Sequence, residues 1–354
     1  MQPKVHIYAA VDAAGGSYER LRAAGLDVEI PDEPWSQTAN RSGDTTELVF
    51  APSTVAAAGV ANRLNALTRR TLESAPGLRL IAKYSVGYDN VDEAAATELG
   101  ILVVNSPTES NWGGVAEGAV TFVLALLKKV RERDRSVKEG RWRDPSLMGT
   151  YLGARQIDDY PGIAVGIVGL GRIGSRVADL LAPWRVRLLG HDPHVEDARF
   201  ATHNVRRTPL DTLLSEADVV TIHCNLTPET ARLMGARELA LMKPGAILVN
   251  TARGPIVDID ALFDALQSDR LAAAALDVLP EEPPDPQTPL LGLGDKVLLS
   301  PHMVSNNVGT GLRMAVPWVE KAIFAAIRGE IPDNVVNPDA IPLWRRRFAG
   351  NSLI

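Results

Sequence analysis

Three short segments in the second half of the sequence carry side chains that can handle a proton beside a small anion. Each follows an apolar run typical of a buried strand, and together they are residues 250–254, 277–283 and 300–302. The guanidinium of Arg253 can grip a carboxylate at two points. The imidazole of His302 exchanges a proton near neutral pH, and a neighbouring carboxylate such as Glu282 favours its charged form. These residue types are typical of acid–base catalysis on a carboxylate-bearing substrate.

Each of these side chains also has a structural interpretation. Arg253 can be a surface ion-pair residue, since most arginines are exposed, and His302 can be a loop histidine with ordinary hydrogen bonds. Glu282 lies beside Glu281 in a proline-rich loop, where a solvated carboxylate is ordinary. The geometry of the folded chain has to decide between the two interpretations.

A glycine pattern further upstream predicts a dinucleotide site. The apolar run 163–168 leads directly into the spacing G-x-G-x-x-G, made by Gly169, Leu170, Gly171, Arg172, Ile173 and Gly174. Its glycines permit a tight turn, close approach of backbone N–H groups to a pyrophosphate, and close packing of the following helix. Asp192 follows the next apolar run, 18 positions after Gly174 (192 − 174). A carboxylate there can accept both ribose hydroxyls, whereas a purely structural glycine turn would need no such acid.

The other histidines and the cysteine point to no further chemistry. His191, His194 and His203 do not repeat a metal-ligand spacing, so we expect no metal site. We expect His223 to be structural. Cys224 is the only cysteine, which excludes an intrachain disulfide, and we expect a small apolar side chain rather than a nucleophile.

The elements that must position these residues alternate along the chain, which is typical of parallel α/β architecture. The predicted strands are residues 4–10, 78–84, 101–105, 163–168, 186–190, 219–223, 246–250, 273–277 and 297–300. The predicted helices are residues 17–24, 68–75, 115–138 and 316–328, with more helical segments between the later strands. Residues 27–57 and 143–160 are expected to be irregular, and a polar tail is expected after the last helix.

Length and composition favour a two-domain chain in the cytoplasm. The 354 residues are 45% hydrophobic and 23% charged, which is ordinary for a globular protein. A net charge of −6 gives no general attraction to nucleic acid or to an anionic membrane. Asp12 interrupts the first apolar stretch, unlike a signal peptide, and no segment approaches the roughly 18 uninterrupted apolar residues of a membrane span.

Several separated motifs, in this order, make the chain resemble the D-isomer-specific 2-hydroxyacid dehydrogenases. They are residues 87–92, 115–117, 169–174, 226–230 and the three segments described first. The resemblance implies two Rossmann-like or flavodoxin-like parallel-sheet domains, with the cofactor domain inserted into a discontinuous substrate domain. The implied substrate domain is residues 1–106 and 306–354, and the implied NAD-binding Rossmann domain is residues 107–305.

The family resemblance also implies roles for individual residues. Arg253 would bind the substrate carboxylate and polarise its keto oxygen, His302 would donate or remove the proton, and Glu282 would orient His302. The backbone of three residues in the other domain would complete the carboxylate site: Ser85, Val86 and Gly87. Asp277 and the backbone near Ala252 would hold the nicotinamide amide. The expected cofactor-binding residues are Gly169, Gly171, Arg172, Ile173, Gly174, Asp192, Cys224, Asn225, Thr230, Thr251, Ala252 and Asp277.

The resemblance implies hydride transfer between NAD(H) and a small 2-hydroxy or 2-keto acid, with D-specificity. We expect NAD rather than NADP because Asp192 would repel a 2′-phosphate, although three later arginines can reach that region: Arg199, Arg206 and Arg207. We expect a homodimer, since in relatives the helix predicted at 115–138 and its adjoining arm form the dimer surface. The alternatives are a larger sugar-derived or aromatic substrate, and an NAD-sensing corepressor-like protein without turnover.

Departures from relatives bear on the substrate. Residues 106–112 replace a glycine-rich loop, and Trp112 either walls the pocket or packs at the hinge. Val86 stands where phosphite-oxidising relatives have lysine, and Glu282 stands where formate-oxidising relatives have glutamine. These differences count against phosphite and formate.

Overall fold

Alternating strands and helices form two parallel sheets in the computed structural model, which describes residues 2–32, 48–60 and 66–354. The chain divides into a discontinuous unit, Met1–Asn111 with Asn306–Ile354, and an inserted unit, Trp112–Ser305. Each unit contains one sheet with its own apolar core. The predicted α/β class is confirmed, with one parallel-sheet domain inserted into another.

The elements are numbered here in chain order. Strands β1 to β12 are Lys4–Ile7, Asp27–Glu29, Thr54–Gly59, Leu80–Lys83, Leu102–Val104, Ala164–Val168, Arg187–His191, Arg206–Arg207, Val219–Ile222, Ala246–Asn250, Leu271–Leu276 and Val297–Leu299. Helices α1 to α12 are Gly16–Ala23, Arg69–Glu73, Glu93–Glu98, Glu109–Leu127, Val130–Lys138, Arg172–Leu181, Asp197–Thr202, Leu210–Glu216, Ala236–Leu241, Ile259–Gln267, Val316–Ile327 and Ile341–Phe348.

The discontinuous unit has a five-stranded sheet in the order β2-β1-β3-β4-β5. Strands β2 and β3 contradict the prediction that residues 27–57 are irregular; residues 33–47 of that segment lie outside the described residues. All six residues of β3 are buried, and three of them are alanines. A strand buried on both faces shows no alternation of apolar and polar residues, and alanine has a low strand propensity. For both reasons the sequence pattern does not reveal it.

The chain end is also more ordered than the predicted polar tail. Helix α12 buries Trp344 completely, and the indole Nε1–H donates to the carbonyl of Arg79 at 2.9 Å. The guanidinium of Arg79 in turn donates to the carbonyls of Ala326 and Ile327 at the end of α11. The tail prediction is therefore wrong, because the buried aromatic residues Trp344 and Phe348 anchor a helix that also carries three arginines.

The inserted unit has a seven-stranded sheet in the order β12-β11-β10-β9-β6-β7-β8, and all its neighbouring pairs are parallel. The strand order reverses beside β6, which pairs with β7 on one side and β9 on the other. The crevice at such a reversal, outside the carboxyl ends of the strands, is where open α/β sheets bind ligands.

The single helix predicted at 115–138 is two helices. Lys129 adopts a left-handed conformation with φ 52° and separates α4 from α5. Helix α4 starts at Glu109, so Trp112 lies within a helix and not in a loop over 106–112. Of the described helices, α4 alone is long and apolar enough to cross a membrane by length and composition. Its apolar side, including Ala116 and Val123, packs in the core formed with β6 and α6.

Candidate active site

The parallel register brings the predicted segments to one edge of the inserted unit's sheet. The final register partners on four neighbouring strands are Ile222, Asn250, Leu276 and Leu299. The residue that follows each strand therefore begins a loop. These four residues form one row along the sheet edge: His223, Thr251, Asp277 and Ser300. Segments 250–254, 277–283 and 300–302 consequently leave the sheet side by side.

His302 and Glu282 form a direct hydrogen-bonded pair. The imidazole Nδ1 donates to Oε2 of Glu282 at 2.8 Å, and Oε1 accepts the N–H of Leu279 at 3.0 Å. The His302 side chain is 46% exposed. Because Glu282 engages Nδ1, Nε2 is the nitrogen available to exchange a proton with a ligand.

The pair keeps a proton on the imidazole. Desolvation disfavours the charged ring, but the hydrogen bond and negative charge of Glu282 outweigh it and raise the pKa of His302 above its usual value. Desolvation also disfavours the carboxylate, yet the bond to His302 and the N–H of Leu279 hold the pKa of Glu282 below its usual value. Charged imidazolium and charged carboxylate therefore stabilise each other.

Arg253 is held by a loop that Asn250 closes. The buried amide of Asn250 accepts the N–H of Ala252 at 3.0 Å and donates to the carbonyl of Arg253 at 2.9 Å. A Cβ at Gly254 would lie 2.0 Å from the carbonyl carbon of Leu279, so this loop packs directly against the loop that carries Glu282. The positive charge of Arg253 is close enough to lower the pKa of both members of the His–Glu pair.

Sequence reasoning did not single out Asn250, although a signal was present. An asparagine at a strand end, shortly before a glycine, commonly closes a turn through its side chain. Its function here is to fix the backbone on both sides of Thr251.

Asp277 supports the segment that carries His302. Its buried carboxylate accepts the N–H of Met303 at 2.9 Å, and its carbonyl accepts the N–H of His302 at 2.8 Å. These bonds fix His302 at φ 57°, a left-handed conformation. Burial raises the pKa of Asp277 above its usual value. The expected role of Asp277 at the nicotinamide stays a prediction.

The glycine fingerprint has the local geometry of a pyrophosphate site. Gly169 has φ 92°, and a Cβ there would lie 2.5 Å from the backbone nitrogen of Cys224. A Cβ at Gly174 would lie 2.0 Å from the carbonyl oxygen of Gly169. Gly171 begins α6 with no described atom within 4 Å of an added Cβ, so a ligand can approach its backbone. Arg172 and Ile173 form the first turn of that helix.

Asp192 bridges the turns that follow β6 and β7. Its Oδ2 accepts the N–H of Leu170 at 2.8 Å, and its Oδ1 accepts the N–H of His194 at 2.9 Å. Two of the nearby arginines have carboxylate partners: Arg206 bonds to Glu216, and Arg207 bonds to Asp197.

The segment after β9 forms a closed turn. The hydroxyl of Thr230 donates to the carbonyl of Asn225 at 2.6 Å and accepts the N–H of Thr227 at 2.7 Å. Burial raises the pKa of Cys224 to about 11, so its side chain is an uncharged thiol at neutral pH. This state agrees with the apolar interpretation of the cysteine.

Two buried polar atoms in the row lack a hydrogen-bond partner within the part of the chain that the structure describes. They are the hydroxyl of Thr251 and Nδ1 of His223. Burial lowers the pKa of His223 to about 3, so the ring is neutral. Among those same residues no group of three or more His, Cys, Asp or Glu side chains is placed to hold a metal ion.

The discontinuous unit contains a turn held by hydrogen bonds, formed by Ser85, Val86 and Gly87. All three carbonyls accept hydrogen bonds: Ser85 from the N–H of Ser106 at 3.2 Å, Val86 from the amide of Asn105 at 2.9 Å, and Gly87 from the hydroxyl of Ser85 at 2.8 Å. The turn is therefore fixed from within its own unit.

Comparison with known proteins identifies the family. The D-isomer specific 2-hydroxyacid dehydrogenase NAD binding domain matches residues 120–304, about half of the chain. A glyoxylate reductase of Korarchaeum cryptofilum is 41% identical over 276 residues, which are 76% of this chain and 79% of that protein. A D-3-phosphoglycerate dehydrogenase of Archaeoglobus fulgidus is 36% identical over 91% of this chain, which spans 57% of that longer protein.

A solved structure agrees over most of the chain. The NAD-dependent formate dehydrogenase from Staphylococcus aureus in complex with NAD superimposes with a TM-score of 0.70 and 30% identity, covering 91% of this chain and 93% of that one. Together with the glycine turn and the residues grouped at the sheet edge, these matches show that the chain belongs to the D-isomer-specific 2-hydroxyacid dehydrogenases and is an NAD-dependent oxidoreductase.

Proposed function

We propose that this enzyme interconverts small 2-keto acids and D-2-hydroxy acids, with His302 as the acid and base. The 2.8 Å hydrogen bond between His302 and Glu282 carries the proposal, because it leaves Nε2 free to serve as the proton donor. When bound, the cofactor would supply hydride to the keto carbon as NADH and accept it from the hydroxy acid as NAD.

In keto-acid reduction, each proposed residue has a separate task. The guanidinium of Arg253 binds the substrate carboxylate and polarises the keto oxygen. His302 donates the proton to that oxygen, and Glu282 keeps the imidazole charged and oriented. The backbone of Ser85, Val86 and Gly87 is proposed to bind the substrate carboxylate, which makes the discontinuous unit the substrate domain and Trp112–Ser305 the cofactor domain.

The proposed cofactor-binding residues lie along the sheet edge of the inserted unit. The glycine turn and the start of α6 would hold the pyrophosphate, and Asp192 would hold the adenosine ribose. The turn after β9 lies on the adenosine side, with Cys224, Asn225 and Thr230. Thr251 and Ala252, which follow β10, and Asp277, which follows β11, would hold the nicotinamide amide. We also propose that the protein is a cytoplasmic homodimer.

NAD is the proposed cofactor in preference to NADP. The carboxylate of Asp192 repels a 2′-phosphate. We expect kcat/KM for NADH to exceed that for NADPH by at least tenfold, about 1.4 kcal/mol of discrimination. Equal values, or a preference for NADPH, would overturn this assignment.

A panel of 2-keto acids tests the reaction. NADH oxidation is measured with glyoxylate, hydroxypyruvate, pyruvate, phenylpyruvate and longer 2-keto acids, and the product's configuration is determined by chiral chromatography. The proposal predicts the highest kcat/KM among the small acids and a D product from each chiral one. Turnover of aromatic or sugar-derived acids alone would contradict the proposed size. NADH binding without turnover would favour the corepressor-like alternative.

A further inference from the structure

A fully buried lysine lies just before the turn that contains Ser85, Val86 and Gly87. Lys83 is the last residue of β4 and has no solvent exposure. Its amino group is bonded to the hydroxyl of Tyr8 at 2.8 Å and donates to Oδ1 of Asn90 at 2.7 Å. Tyr8 and Asn90 are also hydrogen-bonded to each other. The three side chains form a closed triangle, which we call the Lys83 triangle.

The amino group is costly to bury. Desolvation brings the pKa of Lys83 well below its usual value, and the charge of Asp89 offsets only part of this effect. A methionine would fill a similar volume without burying an amine. What the lysine adds to this position is therefore its pair of hydrogen bonds.

Those bonds join the two ends of one loop. Lys83 precedes the turn 85–87 and Asn90 follows it, so their side-chain bond closes the segment 83–90. Tyr8 is the residue after β1, so its hydroxyl attaches the closed segment to the end of that strand. The carbonyl of Lys83 also accepts the hydroxyl of Ser106 at 2.8 Å, which fixes the start of the loop. Closing a loop at its ends reduces the entropy that it loses when it binds a ligand.

We propose that Lys83 is a positioning residue for the substrate carboxylate: through the Lys83 triangle it holds the turn 85–87 in the conformation that binds the anion. The inference rests on the proposed function, which gives that turn the carboxylate. Lys83 acts through the loop and does not itself touch the reacting atoms.

Tyr8→Phe is the most selective variant. A Cβ at Gly59 would lie 2.1 Å from the ring of Tyr8, so the ring is closely packed over that glycine. Phenylalanine keeps the packed ring and removes only the hydroxyl of the triangle. Lys83→Met removes the amino group while keeping a long, unbranched side chain.

The experiment measures KM for the best keto acid, Ki for oxalate, kcat, the Kd of NADH and Tm. For both variants we expect KM and Ki to rise about tenfold, as for loss of one buried hydrogen bond, with kcat changed less than about twofold. The Kd of NADH should not change. A control variant should leave KM and Ki unchanged: Lys4→Met, at a lysine of the same unit that is paired with Glu29.

The outcomes separate this inference from the proposed function. Unchanged KM and Ki in Tyr8→Phe overturn it, and Tyr8→Phe decides alone if Lys83→Met does not fold. A joint fall of kcat, NADH affinity and Tm overturns it as well, since that is general destabilisation. If Arg253→Ala loses keto-acid binding while Tyr8→Phe does not, only this inference fails. If the wild-type enzyme turns over no keto acid, the proposed function fails.

Discussion

The protonation state of the candidate site depends on two residues that shift each other's pKa in opposite directions. The pKa of His302 is raised and that of Glu282 is lowered. Reduction needs the protonated imidazole, so the raised pKa extends keto-acid reduction to higher pH. Activity should be lost as the pH rises through the pKa of His302.

Glu282→Gln removes the charge that raises this pKa. The alkaline limb of kcat/KM for keto-acid reduction should therefore move to lower pH, because desolvation and the charge of Arg253 then act without opposition from Glu282. A pH profile of wild type and variant, with saturating NADH, measures the shift. A limb that stays in place, or moves to higher pH, would show that Glu282 does not tune His302.

The sequence indicated the charged members of the candidate site but not the residues that hold them. Residue type and motif order indicate the chemistry of three side chains that the inserted unit brings together: Arg253, Glu282 and His302. Asn250 and Lys83 act through hydrogen bonds to neighbouring groups that only the folded chain brings close. Their residue types have many ordinary structural uses, so sequence pattern could not distinguish them.

At the scale of elements, the site depends on how closely two loops of one sheet edge pack. Gly254 lies against the backbone of Leu279 and Pro280, with a virtual Cβ 2.0 Å from the nearest atom. Side-chain flexibility cannot relieve an overlap with backbone, so a larger residue must move one loop. Arg253 lies on one of these loops and Glu282 on the other.

Gly254→Ala should therefore separate the two loops. We expect kcat/KM to fall by at least tenfold and the free energy of unfolding to fall by about 1–3 kcal/mol, as for an overpacked site. Gly292→Ala is the matched control, because Gly292 is exposed and an added Cβ meets no described atom within 4 Å. Steady-state kinetics and urea unfolding measure both effects. Equal behaviour of the two variants would contradict the packing argument.

The elements of the inserted unit were the more predictable part of the fold. Every predicted strand from 163 to 300 is present, with bounds that differ by a few residues. The break at Lys129 escaped prediction because the apolar spacing continues across it and lysine has no special preference for positive φ. Strand β3 was missed because buried alanines carry no periodic signal.

At the scale of the whole molecule, the irregular arm after α5 exposes large apolar side chains. Trp142, Met148 and Ile157 are 73%, 72% and 96% exposed. Several large apolar side chains exposed on one segment are typical of an interaction site. It supports the proposed homodimer, in which the arm covers a second copy of the chain.

Sedimentation velocity at micromolar concentration should show a dimer. Replacing both Trp142 and Ile157 with aspartate should give a monomer, because desolvating a charge at an interface is unfavourable. Val308→Asp serves as the control: Val308 is fully exposed in the discontinuous unit, and the variant should stay dimeric. A wild-type protein that sediments only as a monomer would overturn the dimer.

The central claim, that His302 supplies the proton during keto-acid reduction, is tested most directly by the turnover of His302→Asn. Asparagine tolerates the left-handed backbone that His302 adopts, so the loop should keep its shape while the acid is removed. With the best keto acid, kcat should fall by about 10²–10⁴, the contribution of a positioned general acid. The Kd of NADH, measured by fluorescence, should stay the same. Near-normal kcat would contradict the mechanism even though the fold and family assignment would stand.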